Sequence, residues 1–416
     1  MSSDATQIAI IGGGIAGLAL ALRLQQGGLH LTVFERRSNG HAASGSMVLT
    51  PNALRVLKNL GVYEQIFNAG HVHVGVNMIN TDGLRLGRMN LGSEEINGYP
   101  AIRAYRSVIH DALLVRAMEK KIEIRFGMEC TGVVKEGQDS VVVRFSNEES
   151  FEASVVVGAD GIFSKMRHYV APHATLSFSG QMVIFTFTSN DYWKHSTRSD
   201  PSCVVGSSGL FFILPTDNSR SNLLLFTTIE VPDRPKDEWQ ALAANKRALS
   251  GMLQSRLYAD DYPEWLRELV ASAPLDQYDI WPFYFLMGPL QFTSTMSHVV
   301  LVGDAAHSIP PSAGQGGAIA LEDAETLAEV ILTAHAEPSS ESHGKLLATW
   351  ENCRQERIER VTELTRQHND LRRACTGTVS QSDKEAYISQ FFRTQDLEWL
   401  YGFRVEDFCH VLRTHD

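Results

Sequence analysis

Residues 7–35 read QIAIIGGGIAGLALALRLQQGGLHLTVFE, and the fold is decided in this stretch. Gln7 to Ile11 is a short apolar run rich in β-branched residues, the signature of a buried strand. Gly12 to Gly17 follow with the spacing G-x-G-x-x-G, then a helical stretch from Leu18 to Gln26 that Gly27-Gly28 ends. A second apolar run, Leu31 to Phe34, closes on Glu35. Together they make a βαβ unit of the expected length, about 30 residues. Glycines at a strand-to-helix turn let the backbone approach a pyrophosphate closely and aim the helix N-terminus at it. Gly12, Gly14, Ile15, Ala16 and Gly17 are therefore the first candidate contacts to a dinucleotide. Glu35, 18 positions after Gly17, is placed to accept hydrogen bonds from both hydroxyls of an adenosine ribose. Arg36 and Arg37 come next; Arg36 is kept as a cofactor-side candidate, although solvated arginines are the plainer reading and a clasp on a 2′-phosphate is the alternative. This loop alone does not choose between FAD and NAD(P).

The bulk properties narrow the class. A chain of 416 residues, 44% hydrophobic and 20% charged, has the composition of an ordinary globular enzyme with room for two domains. Its 37 Lys and Arg against 48 Asp and Glu give a net charge of −11, which opposes attraction to phosphate backbones or anionic lipid and argues against nucleic acid as a partner. Cys130, Cys203, Cys353, Cys375 and Cys409 are odd in number and never at CxxC spacing, so they read as reduced structural thiols. The start has no basic segment of a secretory signal, and the most apolar later stretch, Ile280 to Leu290, is too short to span a bilayer and carries Pro282 and Pro289. A cytoplasmic protein with no membrane span is expected. No metal-ligand cluster is evident.

Beyond the first unit the periodicity predicts helices at Asn52 to Leu60 and Val108 to Glu119, and strands around Ile122 to Phe126, Ser140 to Phe145 and Ser154 to Val157. From about Ala171 to Pro289 strand-like runs dominate, among them Met182 to Thr188, Leu210 to Leu214 and Asn222 to Ile229. The nucleotide-binding style then returns: His298 to Val302 is a buried-type strand entering Gly303-Asp304 before a long helix from about Gln315. The expected fold is α/β, a Rossmann-like domain with an inserted sheet-rich domain and a helical C-terminal tail on the outside. The corresponding boundaries are 1–70, 101–170 and 290–370 for the discontinuous nucleotide-binding domain, 71–100 and 171–289 for the substrate domain, and 371–416 for the C-terminal segment.

Three motifs in order, Gly12 to Gly17, Val157-Gly158-Ala159-Asp160-Gly161, and Gly303-Asp304-Ala305-Ala306-His307 with Ser308 to Gly317 and Leu321-Glu322-Asp323-Ala324, make the chain resemble the para-hydroxybenzoate hydroxylase-like, salicylate hydroxylase-like family of FAD-dependent monooxygenases. The resemblance covers nearly the whole chain. It implies one non-covalent FAD, with NAD(P)H and dioxygen as transient co-substrates. It further implies that Asp304 accepts a hydrogen bond from a ribityl hydroxyl and that Arg106 contacts the phosphate or ribityl region, with Arg103 a nearby competitor. Met47 and Val48, in the loop Ser44 to Val48, would bring backbone against the flavin, and Asp160 belongs to a fingerprint shared by FAD and nicotinamide sites. Pro310, Pro311, Gly314, Gln315 and Gly316 would form a flavin-activating loop, and Gly314, Gln315, Gly316 and Gly317 would turn backbone amides and a helix N-terminus toward the flavin pyrimidine, favouring its anionic reduced form. His307 is read as a packed or loop-bonded histidine, and no side chain is singled out as an acid or base.

The implied reaction is hydroxylation or epoxidation of an aromatic or polycyclic small molecule, in secondary metabolism, through a flavin C4a-hydroperoxide; ring-oxygen insertion stays open. Most of the aromatic residues of the sheet-rich segment are core, and Phe185, Phe212 and Phe285 are taken as pocket candidates. In salicylate hydroxylase-like relatives an arginine often follows the Ser-Gly here, whereas Ser179-Gly180-Gln181-Met182-Val183-Ile184-Phe185 is neutral, so an anionic benzoate is not expected and a larger apolar substrate is. Tyr192, His195 and Arg198 are possible polar contacts or plain loop residues. Competing readings are an FAD-dependent oxidase or dehydrogenase, a non-catalytic FAD-binding protein, and, on the first loop alone, an NAD(P) dehydrogenase.

Overall fold

The computed structural model describes all residues except 1–6, 39–44, 191–199, 208, 260–261, 337–339, 375–379, 395 and 415–416. Tyr192, His195, Arg198, Ser44 and Cys375 lie outside the described residues. A five-stranded parallel sheet forms the first layer, in the order β18 (Val299–Leu301), β12 (Val155–Gly158), β1 (Ile8–Ile11), β2 (Leu31–Glu35), β8 (Glu123–Phe126). The three central strands are buried throughout, which is why they read as continuous apolar runs instead of alternating ones. Helix α1 (Ile15–Gln26) leaves β1 at the glycine loop and packs against α5 (Gly316–Ala336). The fit is close enough that a Cβ on Gly27 would meet Leu332 at 2.2 Å.

The second large sheet has seven strands, in the order β17 (Asp279–Met287), β13 (Thr175–Ser189), β16 (Asn222–Glu230), β15 (Gly209–Pro215), β14 (Ser202–Gly206), β5 (Gly75–Asn80), β6 (Arg85–Asn90). Its pairs are antiparallel apart from β14 with β5. A short antiparallel sheet, β3 (Ser46–Leu49), β7 (Ala101–Tyr105), β4 (His71–His73), carries residues of two of the three apolar clusters: Ile102 and Ala104 join the core of the nucleotide layer, whereas Ala101 and Val48 join a cluster with Phe185 and Phe212. A three-stranded meander of β9 (Cys130–Glu136), β10 (Val141–Phe145) and β11 (Ser150–Ala153) leads into β12.

Helices α2 (Pro51–Asn59), α3 (Arg106–Glu119) and α4 (Lys165–Val170) connect these layers. The charged helical stretch from about His343, expected from the sequence to pack on the outside, is partly interior. In α6 (Ser340–Ala374), Trp350 and Arg354 are among the largest fully buried side chains, because α5 carries the buried acids Glu322, Asp323 and Glu325 and needs cations from outside its own segment. No helix among the described residues is long and apolar enough to cross a membrane. Among the described residues Cys130, Cys203, Cys353 and Cys409 form no disulfide, and no cluster suited to a metal ion occurs.

Candidate cofactor and substrate cavity

At the C-terminal edge of the parallel sheet, where β1 and β18 turn into helices, a cavity of about 450 Å³ opens between the nucleotide layer and the seven-stranded sheet. Such an edge is the ordinary ligand position in open α/β sheets. The glycine loop forms one end. Gly12 sits at φ +116°, and a Cβ there would strike the Ala159 carbonyl at 2.3 Å, so the turn admits no side chain. Gly17 is tight in another way: its Cβ would lie 2.0 Å from the Gly12 carbonyl oxygen. Gly14 is different. Its φ of −80° suits any residue and no protein atom lies within 4 Å of a Cβ placed on it, yet it lines the cavity at the start of α1. The backbone does not require glycine at that point, and the open space in front of it leaves room for a ligand against the loop.

Glu35 is buried at the end of β2, where it accepts hydrogen bonds from the Gly13 N–H (2.9 Å) and the Arg37 N–H (2.9 Å). His110 of α3 contacts the Gly13 carbonyl at 2.9 Å through Nε2, which holds the loop from the other side. Asp304 follows Gly303, whose φ of +62° and ψ of −142° belong to glycine, and its exposed carboxylate lines the cavity. Arg106, at the first turn of α3, stacks its guanidinium 4.0 Å from the Trp281 ring centre. Burial pushes its pKa down to about 10 while the charge of Asp304 pulls it back up. Beyond them Gly314, Gly316 and Gly317 open the N-terminus of α5 to the cavity. The donor set is therefore a helix N-terminus at each end, with a cation and a carboxylate between them, which suits a diphosphate-linked dinucleotide with a polar linker.

Of the residues expected from sequence, Gly14, Ile15, Ala16, Met47, Val48, Arg106, Asp304, Pro311, Gly314, Gly316, Gly317 and Phe185 line this cavity. Several others lie elsewhere. Arg36 is exposed, and its neighbour Arg37 lines the cavity instead, 4.0 Å from Glu35. The Asp160 carboxylate caps α4, accepting from Ser164 Oγ, Lys165 N and Met166 N, because four unpaired amides at a helix start draw the nearest acid. The Gln315 side chain turns inward to Asn52 and Thr50, and Pro310 stands outside the lining. Phe212 stacks behind Phe226 at 4.6 Å, so Phe226 faces the cavity. Along β17 the cavity is lined by Trp281, Phe283 and Tyr284 and not by Phe285. Sequence reasoning missed Arg372 altogether, since nothing local marks one arginine of a charged helix as turning inward.

Behind the Asp304 turn lies a buried ionic network. Arg354 bonds Asp323 (2.8 Å) and Glu322 (3.0 Å), Arg357 bonds Glu322 (2.8 Å), and Asp323 also accepts from the Gly303 N–H (2.9 Å) and pairs with His307. His307 is thus a bonded structural histidine, as its position suggests. Burial alone would raise the Asp323 pKa, but His307 and Arg354 outweigh it and hold it at about 2, below the ordinary 3.8. A carboxyl whose folded pKa is depressed stabilises above its unfolded value and loses that contribution as the pH falls. Acid titration should therefore remove about 2 kcal/mol between roughly pH 4 and pH 2 through this one group. Comparing denaturant midpoints of the protein and of Asp323→Asn across that range checks it; equal slopes would refute the assignment.

The comparisons agree with this geometry. A family described as FAD binding domain matches residues 5–365. The chain is 29% identical over 416 residues to the 3-amino-4-hydroxybenzoate 2-monooxygenase PtmB3 of Streptomyces platensis, covering 97% of each. It is 31% identical over 373 residues to the 2-heptyl-3-hydroxy-4(1H)-quinolone synthase of Pseudomonas aeruginosa, covering 85% of this chain and 86% of that one. Klebsiella pneumoniae HpxO, solved with FAD and uric acid, shares the fold with a TM-score of 0.78 at 19% identity, over 99% of this chain and 98% of that one. The chain therefore belongs to the FAD-binding domain family and, within it, to the para-hydroxybenzoate hydroxylase-like flavoproteins.

Proposed function

We propose that this protein is a single-component FAD-dependent monooxygenase that uses NAD(P)H and dioxygen to hydroxylate or epoxidise an aromatic or polycyclic small molecule. One observation carries the reading: a single cavity joins the nucleotide loop and the Asp304 turn to an aromatic wall on the second sheet. In this reading the α1 N-terminus at Gly14 takes the diphosphate, Glu35 the adenosine ribose, and Asp304 with Arg106 the ribityl region. When bound, FAD supplies electron transfer from NAD(P)H and the activation of dioxygen. Gly316 and Gly317, at the positive end of α5, favour negative charge at the ring edge laid against them. Phe185, Phe226, Trp281 and Phe283 exclude water from the place where oxygen is transferred. Only one glycine loop of this kind is present, so NAD(P)H has no domain of its own and docks transiently. The domain limits 1–70, 101–170 and 290–370 for the FAD part and 71–100 and 171–289 for the substrate part are kept with this reading.

The test is a screen of aromatic and polycyclic compounds for stimulated NAD(P)H oxidation, with mass detection of a product that has gained one oxygen atom. Oxidation without an oxygenated product would favour an oxidase or dehydrogenase. A protein purified without flavin would defeat the reading altogether. Within it, Glu35→Gln withdraws a charge that holds the loop and accepts from the ribose. FAD affinity is expected to fall about tenfold, the loss of one charge-assisted hydrogen bond at ~1.5 kcal/mol. Fluorescence titration reads it, and unaltered affinity would remove Glu35 from the ligand contacts.

A further inference from the structure

The substrate half of the cavity carries positive charge that no described residue balances. Arg103 is 8% exposed and lines the cavity, and its guanidinium makes no hydrogen bond or ion pair with any described residue; Nε is buried without a partner. Burial is the sole influence on its pKa, lowering it to about 10. The neighbouring histidines His71, paired with Arg103 across β4 and β7, and His73 are held neutral, with pKa values pushed down by burial to about 4 and about 3. The strand decides which way this cation faces. Its same-face neighbours on β7 look toward the second sheet: Ala101 sits in the cluster with Phe185, and the Tyr105 ring lies 5.3 Å from Phe187. Arg372, from the last turn of α6, also lines the cavity; among the described residues it bonds the hydroxyls Thr228 Oγ1 at 3.4 Å and Ser312 Oγ at 3.2 Å, and it lies 5.7 Å from the Phe212 ring centre.

The charge balance follows. Among the described residues the lining holds four arginines, Arg37, Arg103, Arg106 and Arg372, against one carboxylate, Asp304. A bound FAD diphosphate adds two negative charges, and Arg106 and Asp304 belong to that half. A desolvated guanidinium without a counter-charge is costly to keep in an apolar wall, and its rigid fork of donors matches a carboxylate. We propose that Arg103, assisted by Arg372, is a specificity-determining anion site, and that the substrate is an aromatic or polycyclic molecule carrying a carboxylate held there. The inference rests on the monooxygenase reading and adds the substrate class. It also reverses the expectation drawn from the neutral stretch Ser179 to Phe185: the cation comes from β7 and α6 instead.

The test uses the FAD-loaded enzyme and three probe pairs, benzoate, 4-hydroxybenzoate and 2-naphthoate, each against its neutral carboxamide, with binding read from flavin difference spectra. The acids are expected to bind at least about tenfold more tightly than the amides. Arg103→Gln should abolish that preference, whereas Arg103→Lys should keep part of it. The melting temperature of Arg103→Gln should hold or rise, since an unpaired buried charge is removed; a structural arginine would lower it. Amides binding as well as acids, acids that bind too weakly to detect in all three pairs, or a preference surviving in Arg103→Gln would each overturn the proposal. Flavin content and bleaching by NADPH are measured first on the same sample. Their failure would overturn the monooxygenase reading and this inference with it, while their success with no acid preference would overturn the anion site alone.

Discussion

Replacing Arg354 with methionine is expected to destabilise the protein by about 3–5 kcal/mol, the range for removing one partner of a buried ionic cluster. Glu322 and Asp323 are fully buried on α5, and Arg354 bonds both, so the substitution leaves two carboxylates short of a cation in an interior where they are poorly solvated. The effect should reach the cofactor too. Asp323 holds the Gly303 N–H, and Gly303 sets the turn that presents Asp304 to the cavity. Denaturant unfolding followed by far-UV circular dichroism and by flavin release should thus show both midpoints moving down together. Adding Glu322→Gln to Arg354→Met should restore part of the loss, because it removes one of the stranded charges. A single variant losing less than about 1 kcal/mol would show that Arg357 and the amide of Asn52 suffice to compensate Glu322.

Gly14→Glu is expected to do the opposite, sparing the fold and abolishing cofactor binding. At Gly14 the backbone is ordinary and the space in front of it is free of protein atoms, so the apo protein should tolerate the side chain. A carboxylate there would stand against the diphosphate at the start of α1. At a separation of about 4 Å and an effective dielectric constant of about 20, that repulsion is ~4 kcal/mol, or roughly a thousandfold in affinity. The protein should purify colourless with a melting profile near that of apo wild type. Retention of stoichiometric flavin by Gly14→Glu would show that the diphosphate lies elsewhere. By contrast, alanine at Gly12 or Gly17 should damage the fold itself, since its Cβ would meet backbone oxygens at 2.3 and 2.0 Å.

The two glycine cases mark how far the chain can be read without its structure. The βαβ unit around Gly12 to Glu35, the Gly303-Asp304 turn and the sheet-rich insertion were legible because each rests on local chemistry: apolar runs for buried strands, glycines where backbone meets backbone, an acid at a strand end. The contact of Gly14 with the cavity followed from the first of those turns, whereas those of Asp304 and Arg106 came with the family resemblance. Side-chain destinations were less legible wherever two partners competed. Asp160 was read toward the cofactor, but the free amides at the start of α4 claim its carboxylate. Gln315 was read in the flavin loop through its backbone amide, and that left open the destination of its side chain, which bonds Asn52 and Thr50 in the interior.

What the sequence alone determined is that a dinucleotide is held, because gripping one is a property of a few contiguous turns whose geometry glycine and helix termini impose locally; that it is FAD came with the family resemblance of the three motifs. What only the tertiary structure decided is the character of the substrate half. Its lining comes from β7, β16, β17 and α6, and which face of a strand looks into the cavity depends on sheet pairing and on what stacks behind it, as Phe226 hides Phe212. A cation such as Arg103 or Arg372 acquires meaning once the fold shows that no carboxylate among the described residues pairs with it, which no single segment of sequence reveals.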